Sequence, residues 1–262
     1  MKIEKTTIKI GLDAPLKVLH ITDSHLTLCD ASDCDAKKAL AESRSKDMER
    51  FEGSSLLYLE EALAYGRENC DCIVHSGDLT DFVSHGNSQY VGEAWEDDAY
   101  RMNSYMQIKD AFGVNLRFAS HISGGINFVG VDNGYYKFED WQLARLTMEE
   151  EKGLPVVLVL HNPLFEDMLF EESMRLHGGV CSYLVGCDEA HIARYSDEYR
   201  MLQQRSDAAT MRFVEHVHAS KSICAILSGH LHMSYTACLP SGIPEIVTGG
   251  TYQGVAREIT FV

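Results

Sequence analysis

Five short apolar runs, at residues 16–22, 72–76, 126–131, 156–160 and 223–227, are separated by longer stretches, several with a helical apolar period. The runs are too short for core helices and too continuously apolar for strands with one wet face, so they read as strands covered on both sides. Residues 54–68 place Leu56, Leu59 and Leu63 on one helical face, beside Tyr58. Residues 139–151 do the same with Trp141, Leu143 and Leu146, and residues 208–218 with Met211, Val214 and Val217. Strand-helix alternation of this kind specifies an α/β fold with helices over its sheets. Residues 1–12 alternate Ile with Lys, Glu and Thr and read as a further strand. Residues 235–239, 243–247 and 255–262 are expected to form an antiparallel meander closing a second sheet or its edge, because Gly-rich turns and no helix join them. The expectation is one domain over residues 1–262, with cap or insertion segments at 27–52 and 165–204, both polar and irregular in pattern.

A net charge of −16, from 23 basic and 39 acidic residues, argues against wide contact with nucleic acid or anionic membrane. No stretch has the roughly 18 apolar residues of a membrane span, and the N-terminus lacks the apolar core of a signal peptide. The expected location is therefore the cytoplasm, with no membrane partner; oligomeric state is not legible. The spacings Cys29/Cys34, Cys70/Cys72 and Cys181/Cys187 match no zinc ribbon and read as reduced thiols.

Chemistry concentrates at the strand ends. The run at 16–22 is followed by Asp23 and His25; the run at 72–76 by Gly77 and Asp78, with Asp81 beyond; the run at 156–160 by His161; and the run at 223–227 by His230 and His232 after Gly229. Residues two apart on extended backbone point the same way, so each Asp-x-His or His-x-His pair can converge on one cation. A lone pair of this sort is more often a polar loop, and His75 within its strand reads as a hydrogen-bonded core residue. Four strands ending this way is not what scattered placement of 12 histidines produces. The carboxyl ends of neighbouring strands are also where open α/β sheets bind ligands. Six oxygen and nitrogen donors exceed the four of a tetrahedral zinc and suit two divalent ions sharing a carboxylate, with Mn, Fe or Zn favoured by the mix. Such a pair of ions explains how an acidic chain holds an anionic ester. Asp81 reads as a helix cap or as a partner of a ligand rather than a ligand itself.

In order, strand context and most intervals, Asp-x-His, Gly-Asp-x-x-Asp, a strand-terminal His and Gly-His-x-His resemble the calcineurin-like metallophosphoesterases. "SGDLTD" and "SGHLHMS" are closest to the cyclic-nucleotide-phosphodiesterase-like branch. The resemblance implies a four-layer α/β/β/α double-sheet sandwich and a dinuclear centre. It implies that Asp23, His25 and His232 hold one metal, that Asp78 bridges, and that His161 and His230 hold the second together with an Asn. A bridging hydroxide would attack phosphorus in line, with Asp78, His161 and His230 as the catalytic residues of a phosphohydrolase acting on a small phosphate ester, by resemblance a phosphodiester.

The family's Gly-Asn-His-Asp/Glu motif is missing or degenerate. The one Gly-Asn pair in that region is Gly86-Asn87, Ser88 stands where the His belongs, and the interval from Asp78 is too short for the usual helix and strand. Either the intervening segment is lost and Asn87 is a remnant, or Asn87 still reaches the second metal with His85 or His121 supplying an imidazole, or Asn87 is an ordinary turn residue. A serine hydroxyl is no acid near neutral pH. The alternative to an enzyme is therefore a catalytically impaired metal-binding or interaction protein on the same fold. Smaller candidates are Asp132 or Asn133, in what reads equally as a plain Asn-Gly turn, and His177 beside Gly178-Gly179 as a substrate contact.

Overall fold

A computed structural model describes residues 1–29, 33–79, 81 and 115–262. Among these, the strands are β1 (Lys2–Ile8), β2 (Leu16–Ile21), β3 (Cys72–His75), β4 (Phe118–Ser123), β5 (Ile126–Val131), β6 (Val156–Val159), β7 (Ile223–Ser228), β8 (Tyr235–Cys238), β9 (Pro244–Val247) and β10 (Val255–Phe261). The helices are α1 (Asp35–Met48), α2 (Ser55–Asn69), α3 (Asp140–Glu150), α4 (Asp167–Leu176), α5 (Glu189–Ile192), α6 (Glu198–Gln204) and α7 (Ala208–Ala219). Two mixed sheets form, in the orders β1-β10-β2-β3 and β4-β5-β6-β7-β9-β8.

Three apolar cores separate four layers. Between the sheets, Val18, Ile259 and Phe261 face Phe128, Val157, Ala225, Leu227 and Ile246. Outside the smaller sheet, α2 sets Leu59 and Ala62 on Leu19, Ile21 and Ala256. Outside the larger sheet, Leu146 of α3 and Phe213, Val214 and Val217 of α7 cover Val129, Leu158 and Ile226. Each large apolar side chain fully withdrawn from water contributes about 1.5–3 kcal/mol, so the double-faced strands anchor the fold. The architecture is an α/β sandwich of two sheets flanked by helices.

Two local expectations are corrected. The buried stripe of α2 is Ser55, Leu59, Ala62 and Gly66, while Leu56 points outward at 38% exposure. Gly66 seats the helix on Ile73, whose Cδ1 would lie 2.6 Å from an added Cβ. Leu59 and Leu63 lie on the contact face as expected, and the small residues Ser55, Ala62 and Gly66, rather than Leu56, complete it. The last three strands are also not a meander. β8 and β9 pair antiparallel, but β9 runs parallel to β7, and β10 crosses to the other sheet, parallel to β1 and antiparallel to β2. The 3-10 turn Thr251–Gln253 carries this crossing, bonded through Thr251 N to Thr22 O at 2.8 Å.

Residues 165–204 carry α4, α5 and α6, and they bury Leu169, Phe170, Cys181, Leu184 and Tyr195 with Ala237 and Val247. Residues 33–52 carry α1 and a 3-10 turn, Glu49–Phe51. Among the described residues, no helix is long and apolar enough to cross a membrane.

Candidate metal centre

The four strands β2, β3, β6 and β7 all end at one edge of the sandwich, where the two sheets meet. Asp23 N donates to Gly77 O and His25 N to Asp78 O, both at 2.9 Å, which carries the β2–β3 pairing past the strands. Gly229 N donates to His161 O at 3.0 Å and joins the ends of β6 and β7. His230 N then donates to Asp23 Oδ2 at 2.9 Å, tying one sheet to the other.

The pairs do not converge by the extended geometry expected from their spacing. Asp23, His25, Asp78, His230 and His232 have φ of 48°, 45°, 50°, 65° and 52°. Left-handed backbone is costly for residues with a Cβ, of order 1–3 kcal/mol each, and clusters where surrounding structure enforces it at functional sites. The left-handed turns, not a pleat, aim the side chains. Gly77, at φ 136°, has the backbone only glycine adopts readily, and an added Cβ would sit 2.4 Å from His161 Nδ1. Gly229 has no such φ. Its role is close approach, because a Cβ there would lie 2.0 Å from Thr22 Oγ1 and 2.5 Å from Asp23 Oδ2.

Two groups of ligand-type atoms result: Asp23, His25 and His232, and Asp78, His161 and His230. In the first, His25 Nε2 and His232 Nε2 are 3.1 Å apart and lie 3.6 and 3.2 Å from Asp23 Oδ1. In the second, His161 Nε2 is 3.2 Å from Asp78 Oδ2 and 3.1 Å from His230 Nδ1. Both carboxylates reach across: Asp78 Oδ2 is 3.8 Å from His25 Nε2, and Asp23 Oδ1 is 4.0 Å from His161 Nε2. Asp23 Oδ1 is buried without a hydrogen-bond partner although three imidazoles face it. Donors held about 2.1 Å from a tetrahedral ion lie roughly 3.4 Å apart, so these spacings fit shared cations. The donor set of imidazole and carboxylate, with no thiolate, suits divalent metal ions.

Three of the four nitrogens facing away are held as well, while His161 Nδ1 is buried without a hydrogen-bond partner. His25 Nδ1 is 3.1 Å from Asp81 Oδ1, His232 Nδ1 is 3.0 Å from Tyr252 Oη, and His230 Nε2 is 2.8 Å from Tyr136 Oη. Asp81 thus contacts a ligand-type histidine and Arg44 rather than the centre itself. Tyr136 and Tyr252 had no signal in the sequence, because each meets its histidine only across the fold.

Charges alternate through the cluster. Burial opposes ionisation of Asp23, yet His161, His232 and His25 hold its carboxyl well below the usual range. Partial withdrawal from water opposes charge on Asp78, whose side chain is 42% exposed, and His161 overrides it, bringing the carboxyl to about 2. Burial works against the charge on His25, but the nearby carboxylate of Asp23, the bond to Asp81 and the charge of Asp78 raise it to about 10. His161, similarly buried, is raised to about 9 by Asp78 and Asp23. His230 goes the other way, to about 3, through burial and the neighbouring His161. Without a metal, protonated imidazoles supply the positive charge that the carboxylates demand.

The other candidates fall out as follows. His75 bonds Ser24 Oγ at 2.9 Å through Nε2 and accepts from Gly77 N at 3.2 Å, and burial lowers it to about 4, as a core histidine. Asn133 is buried and holds the turn after β6, while Asp132 Oδ1 accepts from Gly134 N at 2.9 Å. His177 packs on Tyr183, centroids 4.6 Å apart, and Tyr183 packs on His230 at 5.5 Å. His121 is exposed in the edge strand β4, opposite Phe128, and is not in either group. His85, Gly86, Asn87 and Ser88 lie outside the described residues.

No family profile matches the chain, and no curated protein matches it. Among solved structures, the chain is similar to a dimetal phosphatase from Danio rerio, at 13% identity and TM-score 0.45, over 91% of this chain and 88% of that one. It is similar to the protein TT1561 of Thermus thermophilus, at 9% identity and TM-score 0.43, over 91% of each. It is also similar to a putative 5'-nucleotidase from Staphylococcus aureus, at 10% identity and TM-score 0.42, over 91% of this chain and 49% of that one.

Proposed function

We propose that the chain is a dinuclear-metal phosphohydrolase acting on small phosphate esters, with phosphodiesters as its preferred class. The observation that carries this reading is Asp23 Oδ1, buried, unbonded and faced by His25, His161 and His232. An orphaned carboxylate oxygen costs about 1–3 kcal/mol or more, and a cation removes that cost. Asp23, His25 and His232 would hold one divalent ion, His161 and His230 the other, and Asp78 would serve both.

Two such ions supply charge stabilisation for phosphoryl oxygens and lower the pKa of water between them. The chain's own residues do the positioning. Asp81, Tyr252 and Tyr136 fix the ring planes of His25, His232 and His230 from behind. Asn133 fixes His161 by accepting from its backbone N–H at 3.2 Å. Ligands pre-set in this way need no rearrangement as charge develops on a phosphoryl group. Tyr183, packed on His230, and His177, packed on Tyr183, would meet the ester group beyond the phosphorus. The net charge of −16 disfavours polyanionic partners and leaves attraction of the substrate to the bound ions.

The test is hydrolysis of bis-p-nitrophenyl phosphate and p-nitrophenyl phosphate by Mn²⁺-loaded protein, with EDTA and Asp78→Ala controls. The expected result is turnover of the diester, exceeding that of the monoester and lost in both controls. A folded protein that binds two ions and turns over neither ester is instead a metal-binding or interaction protein on this fold.

A further inference from the structure

The segment carrying α1 reaches both histidines of the first group from behind. Arg44 sits in the third turn of α1, and its Nε and Nη2 donate to the two oxygens of Asp81 at 2.7 and 3.0 Å. Asp81 Oδ1 is in turn 3.1 Å from His25 Nδ1. Farther along the same segment, the Phe51 ring meets Tyr252 edge-on with centroids 5.2 Å apart, and Tyr252 Oη is 3.0 Å from His232 Nδ1. The outward nitrogen of each histidine therefore leads to residues 33–51 through a single intermediary side chain.

Other polar contacts also hold the segment: Thr27 Oγ1 is 2.8 Å from Ser45 Oγ, and Tyr58 Oη donates to Phe51 O at 2.5 Å. The residues that α1 buries are Lys37, Ala41 and Met48, and its remaining surface is largely charged and polar. A helix with so little apolar area relies on specific contacts, and the Arg44 fork is the strongest kind available. A guanidinium spanning both oxygens of a carboxylate fixes that carboxylate's plane, which a point charge cannot do. In the pair, the side chain of Asp81 is 7% exposed, against 44% for Arg44.

We infer that residues 33–51 are a built part of the first metal centre, with Arg44 and Phe51 as positioning residues for His25 and His232, and with docking of this segment coupled to occupancy of that centre. The inference rests on the dinuclear reading above. Coupling is reciprocal: a segment that tightens ion binding is itself held more tightly when the ion is bound.

The experiment is calorimetric titration of the metal-free full chain with Mn²⁺, for the natural protein and for Arg44→Ala, Arg44→Lys and Phe51→Ala, each first shown to be folded by circular dichroism and thermal unfolding. Amide hydrogen exchange over residues 35–51 is followed with and without Mn²⁺. The natural protein is expected to bind two equivalents. Arg44→Ala and Phe51→Ala are expected to weaken one of them by about ten- to a hundredfold and leave the other within about twofold. Arg44→Lys should fall between. Exchange over 35–51 should slow on loading in the natural protein but not in Arg44→Ala. Two unchanged equivalents in Arg44→Ala, or equal weakening of both, overturns the coupling and leaves the dinuclear reading standing. No binding by the natural protein overturns that reading, and this inference with it.

Discussion

Asn133 and His161 are joined by a side chain that acts as a backbone splint. Asn133 Oδ1 accepts from the N–H of His161 at 3.2 Å and of Asn162 at 3.0 Å, while its Nδ2 donates to Asn162 O at 2.7 Å. The turn that aims His161 is thus held by a residue from the end of another strand. Asn133→Ala is expected to lose about 3 kcal/mol of stability, at roughly 1 kcal/mol per buried bond, and to weaken metal binding as His161 loosens. Urea unfolding and Mn²⁺ titration of the same preparation check both effects.

Gly229 is required by space rather than by backbone freedom. Gly229→Ala puts a methyl 2.5 Å from Asp23 Oδ2 and 2.0 Å from Thr22 Oγ1, so Asp23 must move. The expected outcome is loss of at least tenfold in metal affinity. Gly130→Ala, whose Cβ would meet nothing nearer than Ala119 O at 3.8 Å, is the control and should bind metal as the natural protein does.

Glu245 makes stability depend on pH away from the centre. It is fully buried in β9, accepting from Leu164 N at 3.0 Å and Ser228 Oγ at 3.1 Å, and burial raises its carboxyl to about 8. Between the unfolded value of 4.5 and about 8, the folded state holds a proton that the unfolded state has released. Its contribution to stability therefore falls as pH rises through that window, by at most about 1.4 kcal/mol per unit, and is flat above it. Glu245→Gln keeps an acceptor and removes the titration. It should match the natural protein at pH 5 and exceed it at pH 8 in urea midpoint.

On the dinuclear proposal, metal loading should stabilise the fold, because the proposed ligands come from both sheets. Mn²⁺ at a hundred times its dissociation constant is expected to add about 2.7 kcal/mol per site, reversed by EDTA. Asp23→Ala should abolish most of that gain, since Asp23 binds the two sheets through His230 N as well as facing the centre. Thermal unfolding with and without Mn²⁺ reads the difference directly.

Much of this molecule was legible in order along the chain. Continuous Val, Ile and Leu runs marked the covered strands because burial on both faces leaves no polar alternation. Asp and His at the tips of four such runs marked Asp23, His25, Asp78, His161, His230 and His232 as candidates, and the fold gathers these six into two neighbouring groups. The sequence could not show which histidine nitrogen faces inward, since that depends on Tyr136, Tyr252 and Asp81 arriving from elsewhere. Nor could it show that left-handed backbone, rather than a pleat, turns the pairs inward, or that Gly229 is needed for closeness. The path of β10 into the other sheet, and the use of Arg44 and Phe51 behind the first group, were likewise decided by packing. Periodicity and strand termini are local properties, written in neighbouring residues. Which side chains meet across two sheets is set by the closure of three cores at once, and no local pattern encodes it.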